Sequence, residues 1–180
     1  MAAEGAARRL LVVGSPASGK SGVAQRLGIL SKVPVHHLDA LYYRPGWVDQ
    51  NEERWRGAID SLTSGEEWVM DGNFFDSLEH RAARAEGIVW LDYDRVETLR
   101  RVTARMILPQ PSPRADLPEG CHESWSVDFL IYAWKFFDIQ RIRLEQIIAS
   151  LPRSIAILRV TRPKDLSFLL KRYAERVKRK

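Results

Sequence analysis

Residues 14 to 21 read Gly14-Ser15-Pro16-Ala17-Ser18-Gly19-Lys20-Ser21, a full match to the phosphate-binding pattern G-x-x-x-x-G-K-[ST]. An apolar run, Leu10-Leu11-Val12-Val13, stands before it and a helix-compatible stretch, Val23 to Leu30, after it. No other feature narrows the fold as much, because the pattern works only as a strand–loop–helix. The glycines let the backbone turn tightly enough for successive N–H groups to point at phosphate oxygens, and the helix start adds its positive dipole end. Lys20 is then expected to reach the β- and γ-phosphates, and the Ser21 hydroxyl to ligate Mg²⁺. Residues 14 to 21, with Gly22 in the first helical turn, form the expected nucleotide-binding set. The competing reading is a glycine-bearing turn with no ligand.

Composition sets the surroundings of this motif. A chain of 180 residues, 45% hydrophobic and 28% charged, fits one ordinary globular domain. The longest stretch free of Asp, Glu, Lys and Arg is the ten residues Leu10 to Gly19, too short to span a bilayer. A single cysteine, Cys121, excludes an internal disulfide and suits a reducing cytoplasm, the expected location. The net charge of +5 is concentrated at one end: residues 171 to 180 hold six Lys or Arg against Glu175, and residues 1 to 170 balance at 22 basic and 22 acidic groups. The basicity is therefore a tail and not a face of the body, and fits a solvated helix end; contact with nucleic acid through the tail stays open.

Five short apolar runs predict strands at Leu10–Val13, Val33–Leu38, Trp68–Met70, Ile88–Leu91 and Ile155–Val160. Helix-compatible stretches fall at about 20–30, 51–64, 76–85, 94–107, 124–150 and 164–177. Continuous apolar strands alternating with helices predict an α/β fold, a five-stranded parallel sheet between two helical layers. Residues 108 to 123 carry Pro109, Pro111, Pro113, Pro118 and Gly120, which excludes a continuous helix and predicts a lid.

In such sheets ligands gather at the carboxyl ends of the strands, where this chain offers Asp39, Asp71, Asp92 and Asp94. Mg²⁺ between phosphates needs hard oxygen ligands, often from a carboxylate at a strand end. Asp71 is the expected metal partner of Ser21; Asp92 competes, but with Asp94 it precedes a helical run and suits a capping role. No Asp-Glu pair ends a strand, and the Asn-Lys-x-Asp guanine signature is missing, so transfer to a bound acceptor fits better than motor or switch activity. Asp39 is a candidate to face that acceptor, orienting a hydroxyl and taking its proton; a cap or an ion pair is its other reading. His36 and His37 fall on opposite faces of their strand and are read as structural. Beyond Asp39 come Tyr42, Tyr43, Arg44 and Trp47, fitted to stack on a planar acceptor, to clamp an anionic one, or to cover a small core. Arg105 and Arg114, next to the proline-rich segment, are expected to close over the transferring phosphoryl group; Arg141 and Arg143 are weaker candidates. One Cys and one His in Cys121-His122-Glu123 cannot fill a structural zinc site.

Several segments together, His37-Leu38-Asp39, Arg44-Pro45-Gly46-Trp47, Asp71-Gly72-Asn73, Trp90-Leu91-Asp92 and Glu119-Gly120-Cys121, resemble the adenylate-kinase-like P-loop proteins often labelled DNA topology modulation proteins. The likeness runs in order over about residues 8 to 170. It implies a P-loop kinase fold with the phosphate-loop strand at the sheet centre. It also sets Asp71 where adenylate kinases carry the Asp of Asp-Gly-Phe-Pro-Arg. Here Asn73-Phe74-Phe75 replaces Phe-Pro-Arg, so the arginine that grips a nucleoside monophosphate is missing from that spot and Arg81 is the candidate substitute. The expected substrate-binding set is Asp39, Arg44, Trp47, Asp71, Asn73 and Arg81. The expected activity is ATP- and Mg²⁺-dependent phosphoryl transfer to a small-molecule or nucleotide acceptor. A nucleotide-dependent regulatory or DNA-associated protein is the alternative.

Overall fold

Strand β1 (Arg9–Gly14) is apolar on both faces, so it is stable only at the centre of a sheet covered on both sides. A computed structural model of the protein, describing residues 8–108, 117, 120–121 and 127–178 with side chains to 173, places it there. Along the chain follow α1 (Lys20–Ser31), β2 (Val35–His37), α2 (Leu38–Tyr42), β3 (Tyr43–Arg44), β4 (Val48–Asp49) and α3 (Glu52–Ser64). Then come β5 (Trp68–Asp71), α4 (Phe75–Arg84), β6 (Gly87–Leu91), α5 (Arg95–Ile107), α6 (Val127–Lys135), α7 (Gln140–Ser150), β7 (Ala156–Val160) and α8 (Pro163–Lys178). The five long-range strands are parallel in the order β2-β5-β1-β6-β7. Arg114, most of the expected lid at 108–123 and the side chains of the tail beyond Tyr173 lie outside the described residues.

Alternation along β1 divides the core. Leu11 and Val13 join Trp68, Met70, Ile88 and Trp90 against Leu78 and Ala82 of α4 and Leu144 and Ile147 of α7. Leu10 and Val12 join Val69, Val89 and Leu91 against Val23, Ala24 and Leu27 of α1, with Leu166 and Leu169 of α8 behind. The result is the expected α/β three-layer P-loop kinase fold with a five-stranded parallel sheet. Chain order reverses about β1, whose neighbours are β5 on one side and β6 on the other; the crevice at its carboxyl end is where such sheets bind ligands.

Three elements differ from the sequence expectation. The second strand stops at His37 and not at Leu38, because Leu38 is fully buried in a separate cluster with Trp55 and Ile59 and opens helix α2. Asp39 therefore sits in the first turn of α2, two residues beyond the strand end at His37. A small antiparallel hairpin, β3 with β4, occupies the expected loop, closed by Pro45-Gly46-Trp47 with φ of +80° at Gly46 and +61° at Trp47. The long helix expected over 124–150 is two helices, α6 and α7, with a bend at 136–139. Phe136 at the bend is buried, and α7 buries Leu144 and Ile147 under the sheet while α6 packs on α5. No single straight helix can satisfy both surfaces.

Candidate active site

The phosphate loop is shaped from below as much as by its glycines. Gly14 has φ +148°, and a Cβ there would lie 2.3 Å from the Leu91 carbonyl oxygen, so no other residue fits the turn. The Ser15 N–H donates to the Leu91 carbonyl at 3.2 Å and the Ser18 N–H to the Ser15 carbonyl at 3.3 Å. Thr98 of α5 donates from Oγ1 to Ser15 Oγ at 3.0 Å, fixing α5 to the loop. Gly14, Ser15 and Ser18 thus build the loop from inside, while Pro16, Ala17, Gly19, Lys20, Ser21 and Gly22 line an open cleft of about 1050 Å³. The N–H groups of Lys20, Ser21 and Gly22 precede the first bond of α1, from Val23 N–H to the Gly19 carbonyl, and so lie in the first turn, the end of a helix that attracts anions. Lys20 lines the same cleft, and its Nζ donates to the carbonyls of Gly14 and Ser15 at 3.2 and 3.0 Å.

Asp71 ends β5 at the cleft floor. Ser21 Oγ donates to its Oδ2 at 2.8 Å, so the two expected metal ligands meet although they are 50 residues apart in sequence. Its other oxygen, Oδ1, contacts His37 Nδ1, because the β2–β5 pairing puts His37 directly opposite Asp71. Sequence reasoning read His37 as structural; only strand register, which no local pattern encodes, brings it here. Asn73 reaches back across the sheet end, accepting from the Gly14 N–H at 3.0 Å and donating from Nδ2 to the Gly14 carbonyl at 3.0 Å. It lines the cleft and buttresses the phosphate loop together.

Arg81, expected to bind substrate, is elsewhere. It is fully buried, away from the cleft wall, and its guanidinium donates to the carbonyls of Gly72, Asn73 and Phe74 and to Ser77 Oγ. Burial lowers its pKa to about 9, so it remains charged at neutral pH. Its work is to hold the turn after β5, in which Phe74 adopts φ +33°, a left-handed conformation costly for a bulky residue. Ring contacts of Phe74 with Tyr42, Trp55 and Tyr43, at centroid distances of 5.0, 4.9 and 6.5 Å, hold it there.

Asp39, Tyr43, Trp47, Phe74, Phe75, Phe129 and Tyr132 line the same cleft as the loop. Burial raises the pKa of Tyr43, to about 12, and that of Tyr132, and the Asp39 carboxylate adds to the rise at each. Arg44, also expected to bind substrate, is exposed on β3 outside the cleft lining. Its carbonyl accepts from the Cys121 thiol at 3.4 Å, and the Trp47 N–H donates to Cys121 Sγ at 3.3 Å. The Arg-Pro-Gly-Trp and Gly-Cys segments, 74 residues apart at Trp47 and Cys121, therefore meet at the rim of the cleft.

Of the described arginines, Arg101 and Arg105 line the cleft. Arg101 is bound to Glu97 at 2.7 Å and lies 5.0 Å from the centre of the Tyr93 ring. Arg141 and Arg143 do not line it: Arg141 pairs with Asp92 at 2.7 Å and Arg143 with Asp76 at 3.1 Å. Asp92 is neither a cap nor a cleft residue, being buried and held also by Arg159 at 2.5 Å. Asp94 does cap α5, accepting from the Glu97 N–H at 2.8 Å. Among the described residues no three His, Cys, Asp or Glu side chains converge to hold a metal unaided. No described helix is long and apolar enough to cross a membrane.

No family model and no curated protein matches the sequence. Solved structures do. A shikimate kinase from Bacteroides thetaiotaomicron matches over 96% of this chain and 99% of its own, at 14% identity and a TM-score of 0.51. A gluconokinase from Sinorhizobium meliloti matches over 97% and 94%, at 15% identity and a TM-score of 0.41. At such identities the likeness speaks for the fold, that of the P-loop kinases, and the first of the two carries it.

Proposed function

We propose that the protein catalyses ATP- and Mg²⁺-dependent phosphoryl transfer to a small-molecule or nucleotide acceptor. The observation that carries this reading is the convergence, on one cleft, of the phosphate loop with Lys20, the Ser21–Asp71 pair, and Asp39. The likeness of fold to a shikimate kinase supports it. Lys20 and the N–H groups of residues 20–22 would hold the triphosphate, with Arg105 and Arg114 offsetting the charge that develops on the moving group.

A hydroxyl and a carboxylate 2.8 Å apart at the phosphate loop form a hard oxygen pair suited to Mg²⁺, which would share the remaining positions with phosphate oxygens and water. When bound, the ion supplies charge neutralisation. His37 orients the Asp71 carboxylate from the side away from Ser21. Asp39 holds the acceptor hydroxyl and takes its proton. The cytoplasm, where ATP is plentiful, is the matching location. The DNA-associated reading draws on the tail at 171–180, and no contact among the described residues favours it.

Asp39→Asn tests the division of labour. It should cut phosphoryl transfer by about two orders of magnitude while leaving the affinity for a non-hydrolysable ATP analogue with Mg²⁺ nearly unchanged. Equal loss of binding and transfer would contradict the acceptor role of Asp39.

A further inference from the structure

Hairpin β3–β4 is too small to hold itself. It has two residue pairs, Tyr43 with Asp49 and Arg44 with Val48, it forms a sheet apart from the main one, and residues 44–49 are all exposed. Isolated two-stranded ribbons are marginal in water. Its turn is also costly, because Trp47 takes φ +61°, a left-handed conformation unfavourable for a bulky side chain. Yet Trp47 and Tyr43 line the cleft, their rings edge-on at 5.2 Å, so a defined cleft requires a defined hairpin.

Support arrives from a distant part of the chain. Gly120 has φ +69°, and a Cβ there would stand 3.1 Å from the Pro45 Cβ, so the backbone at Gly120 lies directly against the turn. Cys121 is buried, and its thiol bridges the two ends of the turn. It accepts from the Trp47 N–H at 3.3 Å and donates to the Arg44 carbonyl at 3.4 Å. In a four-residue turn the first carbonyl and the last N–H are the groups that ordinarily bond. Here a side chain 74 residues beyond Trp47 joins them.

Resting on the kinase reading, we propose that Cys121, backed by Gly120, is a positioning residue for the acceptor: it fixes the hairpin turn and thereby the Trp47 ring in the cleft. Cys121 does not line the cleft itself, so it acts through Trp47. A thiol is a weak donor and a weak acceptor, so its two bonds contribute geometry more than energy. Size decides the residue type. The larger radius of sulfur suits spans of 3.3 and 3.4 Å, whereas a hydroxyl bonds best at about 2.7–3.0 Å and reaches both groups only by drawing the turn inward. The Arg-Pro-Gly-Trp and Gly-Cys segments are thus two halves of one device.

The test uses the intact protein and the variants Cys121→Ala, Cys121→Ser and Trp47→Gly. Glycine at 47 keeps the N–H and accepts a positive φ while removing the ring. Amide hydrogen exchange over residues 43–49 needs no acceptor. It should quicken by about ten-fold or more in Cys121→Ala, less in Cys121→Ser, with the phosphate loop unchanged in both. For function, γ-labelled ATP and Mg²⁺ are offered with nucleosides, nucleoside 5′-monophosphates, shikimate and gluconate, and the compound that the wild type uses best is carried through the series. Cys121→Ala and Trp47→Gly should each raise its KM by about three- to ten-fold, and Cys121→Ala should leave the KM for ATP nearly unchanged. Adding Cys121→Ala to Trp47→Gly should raise the acceptor KM no further, because the thiol works through that ring. Hairpin exchange equal in the wild type and Cys121→Ala would overturn the proposal. An acceptor KM unmoved by Cys121→Ala would do the same, as would effects of the two substitutions that simply add. Should Cys121→Ala fail to fold, Gly120→Ala, which presses a methyl group towards Pro45, is read against the same outcomes. Failure of the kinase reading shows in the wild type alone, as transfer to none of these compounds, and would take the acceptor role of Cys121 with it.

Discussion

Arg81 shows how much a single buried charge can decide. Its guanidinium gathers the carbonyls of residues 72 to 74, so replacing it strands acceptors in the interior. Arg81→Met should cost about 3 kcal/mol in urea unfolding, with most of the lost activity explained by instability. A stable Arg81→Met protein with a raised acceptor KM would instead restore the substrate role that the sequence suggested. His37 makes the complementary case. His37→Ala should raise the Mg²⁺ requirement of transfer by about ten-fold, with His37→Asn recovering part of it, because only a side chain able to hydrogen-bond Asp71 keeps that carboxylate oriented. A Mg²⁺ dependence identical in all three proteins would deny His37 any part in positioning Asp71. Neither residue's role was legible in the sequence. Lys20, Ser21 and Asp71 were, since a loop motif and a carboxylate at a strand end carry their own signatures; Arg81 and His37 act through partners set by register and by the packing of α4.

At the scale of elements, strands buried on both faces announce themselves as continuous apolar runs, and all five sheet strands were legible to within two residues at each end. The α6–α7 bend was not, because its cause is two packing surfaces in different places and not a Gly or Pro in the chain. The β1-to-loop junction is the least forgiving point. Gly14→Ala would press its methyl group into the Leu91 carbonyl and should either prevent folding or lower the thermal midpoint by several degrees, as a circular-dichroism melt would read. An unchanged melt would mean that the junction is looser than its geometry. On α5, hydrogen bonding from Arg100, aided by Arg101, lowers the Glu97 pKa to about 2 from an ordinary 4.5. A carboxylate depressed on folding stabilises above its unfolded pKa and loses that contribution as pH falls through the folded one. Urea stability should therefore decline between about pH 4.5 and 2 by up to about 1 kcal/mol more in the wild type than in Glu97→Gln. Parallel curves for the two proteins would show the Glu97 pairs to be energetically silent.

Over the whole molecule, the sheet brings distant segments to one edge: the loop from β1, Asp71 from β5, and Asp39 with its aromatic neighbours from the chain after β2. Sequence order gave the parts, and the parallel topology explains why they face one another. The excess positive groups lie at the chain end, and over residues 1 to 170 the charges balance. The central claim is that this edge receives a triphosphate through the loop amides and the Lys20 ammonium. Calorimetric titration of a non-hydrolysable ATP analogue with Mg²⁺ tests it most directly. Saturable binding that weakens by about a hundred-fold or more in a folded Lys20→Ala protein is the predicted result. Equal affinity in the two proteins, or no binding to the wild type, would contradict the account.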